Sequence, residues 1–196
     1  MNGAPDVVLV PALDAGLQHA VARVYAAAFS EAPYREGPGE VVDFARRLPL
    51  DAGVPGFRLA VAADEGGVVG FGYGYDLLGG SGDWLEWIAG HLGERSAVWL
   101  SDGFWFVELA VLPSRRRRGI GRRLHDAVVG ATDRRRGLLT AHARATAARR
   151  LYRTSGWLTL VNPYQIPGVA DPYVLMGNPE LRPGEPNEPV GRAGTS

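Results

Sequence analysis

Apolar positions along the chain fall into two rhythms. Short runs rich in β-branched and aromatic residues predict strands: Val7-Val8-Leu9-Val10, Phe57 to Ala63, Val68 to Asp76, Phe104 to Leu112, Leu138 to His142, Trp157 to Val161 and Tyr173 to Met176. Other segments repeat at helical spacing. Leu17, Ala20, Val21, Val24, Ala28 and Phe29 share a face, and a second helix is expected from Gly39 to Leu48. Ile120, Leu124, Ala127, Val128 and Ala131 mark a helix to about Thr132, and Thr146 to Arg153 another. Pro33 disfavours helix at Ala32, Asp64-Glu65-Gly66-Gly67 reads as a hairpin turn, and Ser155-Gly156 stops the last helix. The order β-α-α-β-β-β-α-β-α-β-β predicts an α/β (α+β) domain, a mixed sheet with helices on both faces.

Residues 77–103 are long for a connection, which points to function or to a helix of their own; Asp83 would cap one carrying Trp84, Trp87, Ile88 and Leu92. The stretch 178–196 is rich in Pro, Gly and charge and reads as a disordered tail, leaving one domain over 1–177. No apolar run approaches the roughly 18 residues of a membrane span, and the first residues lack a secretory pattern. The expectation is a cytoplasmic protein with no membrane partner, monomeric or homodimeric.

Composition narrows the chemistry. There is no cysteine, which excludes a thiol nucleophile and Cys-ligated zinc, and no metal is expected. All 21 basic residues are Arg, so a Schiff-base lysine and a Walker-type phosphate loop are excluded as well. An Arg-only, Ala/Gly/Pro-rich composition is associated with high-GC, bacterial genomes. The net charge of zero hides an uneven distribution: residues 1–114 hold 6 Arg and 15 acids, residues 115–196 hold 15 Arg and 6 acids. One half is suited to an anion and the other to a cation.

The anion site is legible in Val111-Leu112-Pro113-Ser114-Arg115-Arg116-Arg117-Arg118-Gly119-Ile120-Gly121-Arg122. A buried strand ends at proline, and a basic loop then opens a helix through two glycines. Unpaired N–H groups and the positive end of the helix dipole face whatever sits there, and the glycines carry no side chain to keep a phosphate away. The three-glycine dinucleotide fingerprint is absent.

Arg116-Arg117-Arg118-Gly119-Ile120-Gly121 resembles the Q/R-x-x-G-x-G/A motif of the GNAT superfamily of acyl-CoA N-acyltransferases. Leu109-Ala110-Val111-Leu112-Pro113 looks like that family's fourth strand and its proline, and Ala148 to Trp157 looks like its A-x-x-L-Y-x-x-x-G-F segment. The resemblance, strongest over 103–160, implies a mostly antiparallel mixed sheet and acetyl-CoA as cosubstrate. It further implies that the backbone of Leu109 and Val111, flanking Ala110, pairs with the pantetheine arm like an added strand, with the Val111 amide aimed at the thioester carbonyl. The amides of Arg116, Arg117, Arg118, Gly119, Ile120 and Gly121 would hold the pyrophosphate, with Arg122 beginning the helix behind it. Thr146 and Ala148 would lie along the cofactor, and Tyr152 would protonate the departing thiolate. One departure stands out: where the family often has Asn, seven residues before the tyrosine, this chain has Ala145, with Thr146 beside it.

The implied reaction is direct attack of a primary amine on the thioester in a ternary complex. An alkyl ammonium must first lose a proton. The family's usual base positions fall at Trp105 and Val107, which cannot serve. Glu108 and Glu31 are the carboxylate candidates, with His142 and a water chain as further options. Strand alternation turns Glu108 to the opposite face unless a bulge changes the parity. The acceptor region is expected over 30–36 and 77–103, where Glu31, Tyr34, Asp83, Trp84, Glu86, Trp87, Glu94, Trp99 and Asp102 suit a small cationic amine. Two alternatives compete: a catalytically silent CoA-binding or sensor module, and a nucleic-acid binder built on the six arginines between 115 and 123. The strand-proline-glycine context leaves the last without support, and no nucleic-acid partner is expected.

Overall fold

The structure is a computed structural model describing residues 4–77, 83–144, 146–166, 169 and 171–181, without the side chains of Asp83 and Thr146. Among these residues the chain forms strand β1 (Asp6–Val10), helices α1 (Ala15–Phe29) and α2 (Pro38–Ala52), and strands β2 (Arg58–Asp64) and β3 (Gly67–Asp76). Helices α3 (Asp83–Leu92) and α4 (Ser96–Leu100) follow, then β4 (Gly103–Val111), α5 (Ile120–Gly130), β5 (Arg136–His142), α6 (Thr146–Thr154), β6 (Leu158–Tyr164) and β7 (Tyr173–Asn178). The seven strands make one sheet in the order β1-β2-β3-β4-β5-β7-β6. Every neighbouring pair is antiparallel except β4 and β5. No described helix is long and apolar enough to cross a membrane.

Helices cover both faces. On one, α5 and α6 close over Phe104, Phe106, Leu139, Val174 and Met176. On the other, α1 and α2 cover Leu59, Val61, Phe71 and Tyr73, and α3 and α4 pack on Leu138 and Leu175. Gly70 lets α5 approach β3, since a Cβ there would stand 3.0 Å from Leu124, while a Cβ on Gly72 would stand 3.1 Å from Leu109 of β4. The expected 77–103 segment therefore holds two helices whose Trp99 is buried in the core.

Two expected boundaries shift. Helix α2 continues past Pro49 to Ala52 rather than stopping at Leu48. Proline has no N–H to give the carbonyl four residues back, and here that carbonyl, Ala45 O, accepts from the Gln18 side chain of α1 at 2.9 Å. The extra turn brings Asp51 into the site described below. At the other end, order extends beyond residue 177. Asn178 donates to Ser155 O at 3.1 Å, and Leu181 is buried with its amide bonded to Arg135 O at 2.8 Å. The remainder of the expected tail, 182–196, lies outside the described residues.

The feature that positions the site is a split in the sheet. β4 and β5 pair only at Gly103–Arg136, Phe104–Gly137 and Trp105–Leu138, then part. From Phe106 onward β4 keeps β3 on one edge and opens the other onto a cleft.

Candidate active site

Strand β4 carries a bulge. Consecutive residues Tyr73 and Gly74 of β3 face Glu108 and Phe106, so Val107 is an extra residue. Before it, Phe104 and Phe106 point into the core under α5 and α6. After it, Ala110 points under α1 and α2. The bulge thus reverses the alternation that would have turned Glu108 into the α5 core, and places its carboxylate beside Arg47 of α2 at 3.4 Å. Beyond the bulge the ladder fixes which backbone groups are free. The Leu112 amide bonds to Val69 O at 2.9 Å. In an antiparallel pair such residues alternate, so the N–H and C=O of Leu109 and Val111 face the cleft.

Two adjoining cavities fill the cleft and share Phe29, Tyr34, Leu109 and Ala148. The outer one, about 490 Å³, is bordered by Ala110, Val111, Arg116, Arg144 and Ala147. The inner one, about 310 Å³, passes through the split: Trp105, Val107, Glu108, Thr140, His142 and Tyr173 come from the sheet, Tyr25, Glu36 and Arg47 from one face, and Tyr152 from the other.

At the outer end the loop before α5 takes a left-handed turn at Arg117 (φ 62°) and again at Gly119 (φ 75°), the latter being the residue that starts the helix. No side chain of the described residues caps it, and the first helical bond runs from the Arg123 amide to Gly119 O. The amides of Ile120, Gly121 and Arg122 therefore have no helical acceptor, and alternating handedness of this kind forms an anion-binding nest. A Cβ at Gly119 would meet nothing within 4 Å, which leaves the approach open.

The arginines divide by role. Arg115 pairs with Asp64 at 2.9 Å. Arg116 turns inward, bonding Val111 O, Ala28 O and Glu31 and tying the end of β4 to the end of α1. Arg122 bonds Thr154 and Ser155 of the α6 end, and Arg123 bonds Pro5 O. Arg117 and Arg118 make no side-chain hydrogen bond or ion pair among the described residues.

The inner cavity holds the titratable groups. Burial pushes the Glu108 carboxyl up to about 7, the Arg47 guanidinium pulls it back, and the Glu36 charge adds to the rise. Its side chain keeps 18% of its exposure, so it remains reachable from the cavity. Asp51 accepts the Tyr73 hydroxyl at 2.8 Å and lies 3.7 Å from Arg47. Burial likewise raises Glu36, opposed by the Tyr25 hydroxyl. The Tyr152 hydroxyl is raised above its usual range, chiefly by burial and further by the Tyr34 and Glu108 charges; it stays protonated at any working pH. His142 is buried, and its Nδ1 accepts the Arg144 amide at 3.0 Å, which puts the proton of the neutral ring on Nε2. That nitrogen lies 3.5 Å from Asp171.

A second layer holds Tyr152. The Trp157 amide bonds Tyr152 O at 3.1 Å, and its indole N–H donates to His125 Nε2 at 2.9 Å. His125 Nδ1 in turn faces Asp126 at 2.7 Å. Burial pushes His125 below its ordinary value, which keeps Nε2 free to accept.

The expected residues are thus distributed as follows. Glu108, Tyr152, Leu109 and Ala148 line the inner cavity, while Ala110, Val111 and Arg116 border the outer one. Ile120 is buried in the core behind its own amide. Glu31 stands outside both cavities, 55% exposed and paired with Arg116 at 3.1 Å. Ala145 and the Thr146 side chain lie outside the described residues. Of the expected acceptor residues, Tyr34 alone among those described lines the inner cavity. Trp84 reaches it indirectly, packed on Trp105 at 5.1 Å, and Glu86 and Trp87 line a separate surface groove. Sequence reasoning missed Tyr25, Arg47 and Tyr173, and left Glu36 unnamed within the expected 30–36 segment. Arg47 had a signal, since it falls three residues after Phe44 on the buried side of its helix; Tyr173 had none.

The chain belongs to the GNAT acetyltransferase family: the family's acetyltransferase (GNAT) domain matches residues 55–157 of 196. An acetyltransferase of the GNAT family from Staphylococcus aureus superposes with a TM-score of 0.62 at 11% identity, over 90% of this chain and 100% of its own. The ribosomal-protein-S18-alanine N-acetyltransferase of Escherichia coli gives 0.61 at 15%, over 93% and 98%. A histone acetyltransferase HPA2-related acetyltransferase of Corynebacterium glutamicum gives 0.57 at 19%, over 91% and 97%. At these identities the likeness speaks for the fold. Among curated proteins none matches the chain in sequence. Membership of the family makes the protein an acyltransferase, and domains of this kind generally use acetyl-CoA.

Proposed function

We propose that the protein is an N-acetyltransferase that passes acetyl from acetyl-CoA to the primary amine of a small cationic molecule, by direct attack in a ternary complex. The observation that carries this reading is the meeting of Glu108, with its carboxyl near 7, and the Tyr152 hydroxyl in one cavity beside the free edge of β4. The residues fit the donor. The uncapped amides of Ile120, Gly121 and Arg122, with Arg117 and Arg118 beside them, suit a pyrophosphate. The outward groups of Leu109 and Val111 suit an amide-bearing arm, although Arg116 already occupies the Val111 carbonyl, leaving its N–H. Bound there, acetyl-CoA supplies an activated acyl group on a thiol leaving group.

Glu108 takes a proton from the acceptor ammonium, at a pKa close to neutral that suits a general base. The freed amine attacks the thioester carbonyl, with the Val111 amide placed to receive the developing negative charge. As the tetrahedral intermediate collapses, Tyr152 gives its hydroxyl proton to the departing sulfur and regains one from the nitrogen, which sheds its second proton to become the amide, and Glu108 returns the first proton to solvent. Glu31, committed to Arg116 outside the cavity, has no part in this scheme.

The test is a calorimetric titration with acetyl-CoA, followed by a thiol-release assay on an amine panel, which a cysteine-free protein keeps clean. Micromolar binding and turnover of cationic amines are expected. Preference for neutral or anionic acceptors would overturn the acceptor class, and binding without turnover of any amine would favour a silent module.

A further inference from the structure

We propose that the acceptor carries two cationic centres, the transferred amine lying at Glu108 and the second cation bound by Glu36. This rests on the amine-acetylating reading above and narrows its substrate class.

The charges of the inner cavity do not balance. Glu36 and Glu108 line it, Asp51 stands just behind, and among the described residues Arg47 is the one guanidinium bearing on all three. Arg47 is already divided, 3.4 Å from Glu108 and 3.7 Å from Asp51, and Asp51 also holds the Tyr73 hydroxyl. Glu36 makes no ion pair among the described residues. A wall of this composition is satisfied by more positive charge than one ammonium brings.

Hydrogen bonding points the same way. Two polar atoms of this cavity's lining residues are buried without a hydrogen-bond partner, Glu36 Oε2 and His142 Nε2. His142 is 2% exposed, and its N–H has Asp171 Oδ2 at 3.5 Å to turn to. Glu36 Oε2 has no partner at hydrogen-bond distance among the described residues, with the Tyr25 hydroxyl as the polar group beside its carboxyl. A buried carboxylate oxygen left unmet is costly, and an ammonium or amidinium hydrogen would meet it.

Shape sets the rest. Glu36 comes from the segment two residues before Pro38 at the start of α2 and Glu108 from the bulged strand, so the two carboxylates reach one cavity from different elements. Tyr25, Tyr34 and Tyr173 present aromatic surface along it, suited to a methylene chain and to the flank of a cation. A volume of about 310 Å³ admits a short diamine or a compact diaminated molecule and no bulky one.

The experiment compares 1,3-diaminopropane to 1,6-diaminohexane with the corresponding n-alkylamines, as acceptors for the wild-type protein and for Glu36→Gln, by thiol release under saturating acetyl-CoA. The wild type should favour diamines over length-matched monoamines by about ten- to a hundredfold in kcat/KM, with an optimum at one chain length. Glu36→Gln should reduce that selectivity about tenfold or more, mainly through KM, and Glu36→Asp should retain part of it. Acetyl-CoA affinity by calorimetry reports that each variant is folded. Equal use of diamines and monoamines, or a diamine preference that survives Glu36→Gln, overturns the two-cation acceptor and leaves amine acetylation standing. No turnover of any amine by a protein that binds acetyl-CoA overturns amine acetylation, and this inference with it.

Discussion

The two ends of the cleft recognise by different means. At the outer end the binding groups are main-chain amides of one short segment, Ile120 to Arg122, shaped by two left-handed residues, while four of the six nearby arginines are spent on holding the loop in place. At the inner end the groups are side chains gathered from α1, the segment before α2, α2 itself, β4, β5, α6 and β7. The outer end therefore tolerates most changes of side chain and fails when something intrudes. The inner end depends on individual carboxyl, hydroxyl and aromatic groups, and single isosteric changes should retune it.

The sharpest contrast comes from Gly121→Glu. A Cβ there would meet only Leu151 at 3.4 Å and Val111 at 3.9 Å, ordinary contacts, so the fold should survive. The carboxylate would confront the proposed pyrophosphate, and acetyl-CoA affinity should fall by more than about a hundredfold in calorimetry. Unchanged affinity in a folded variant would place the phosphates elsewhere. Glu108→Gln should leave that affinity nearly intact while lowering kcat/KM by about 10²- to 10⁴-fold. In the wild type, kcat/KM should rise with pH through about 7, and the variant should lose that limb. Stability should move oppositely. The folded carboxyl titrates above its unfolded value of about 4.3, so its contribution is present at low pH and is lost as pH rises toward 7. Glu108→Gln should accordingly gain in Tm over the wild type across that interval; a constant difference would contradict the raised pKa. The smallest effect is expected from Tyr152→Phe, a drop in rate of about ten- to a thousandfold with acetyl-CoA binding retained. An unchanged rate with a good acceptor would remove Tyr152 from the reaction.

The same contrast decides what the sequence could disclose. The outer end is contiguous, and its requirement for glycine and for a strand-to-helix turn leaves a readable spacing. The element order was readable too, because periodicity reflects burial on each face. The inner end has no spacing to read. Glu36 and Tyr173 meet only after the sheet has formed, and Glu108 takes its side from a bulge that no local residue pattern announces. The helix past Pro49 was hidden for a related reason: the side chain that satisfies the orphaned carbonyl, Gln18, lies 27 residues away in sequence. The 77–103 segment misled through its tryptophans and carboxylates, which mostly pack α3 and α4 down or face a separate groove.

The bulge at Val107 also bears on how such a site can vary. Along β4, orientation is counted in paired residues, so the chemistry of position 108 is set by whether Val107 is left out of the ladder as much as by residue type. Deleting Val107 would leave Glu108 opposite Tyr73 on the face it already has, whereas drawing Val107 into a regular ladder would send the carboxylate toward Phe106 and the α5 core and swing Leu109 into its place, with every side chain still drawn from the same letters. Substitutions can adjust the acceptor pocket step by step. Moving the base from one side of the sheet to the other takes the loss of the bulge with its residue kept, a change of register with no intermediate, and lineages with and without a bulge at this length of strand should differ in kind rather than in degree.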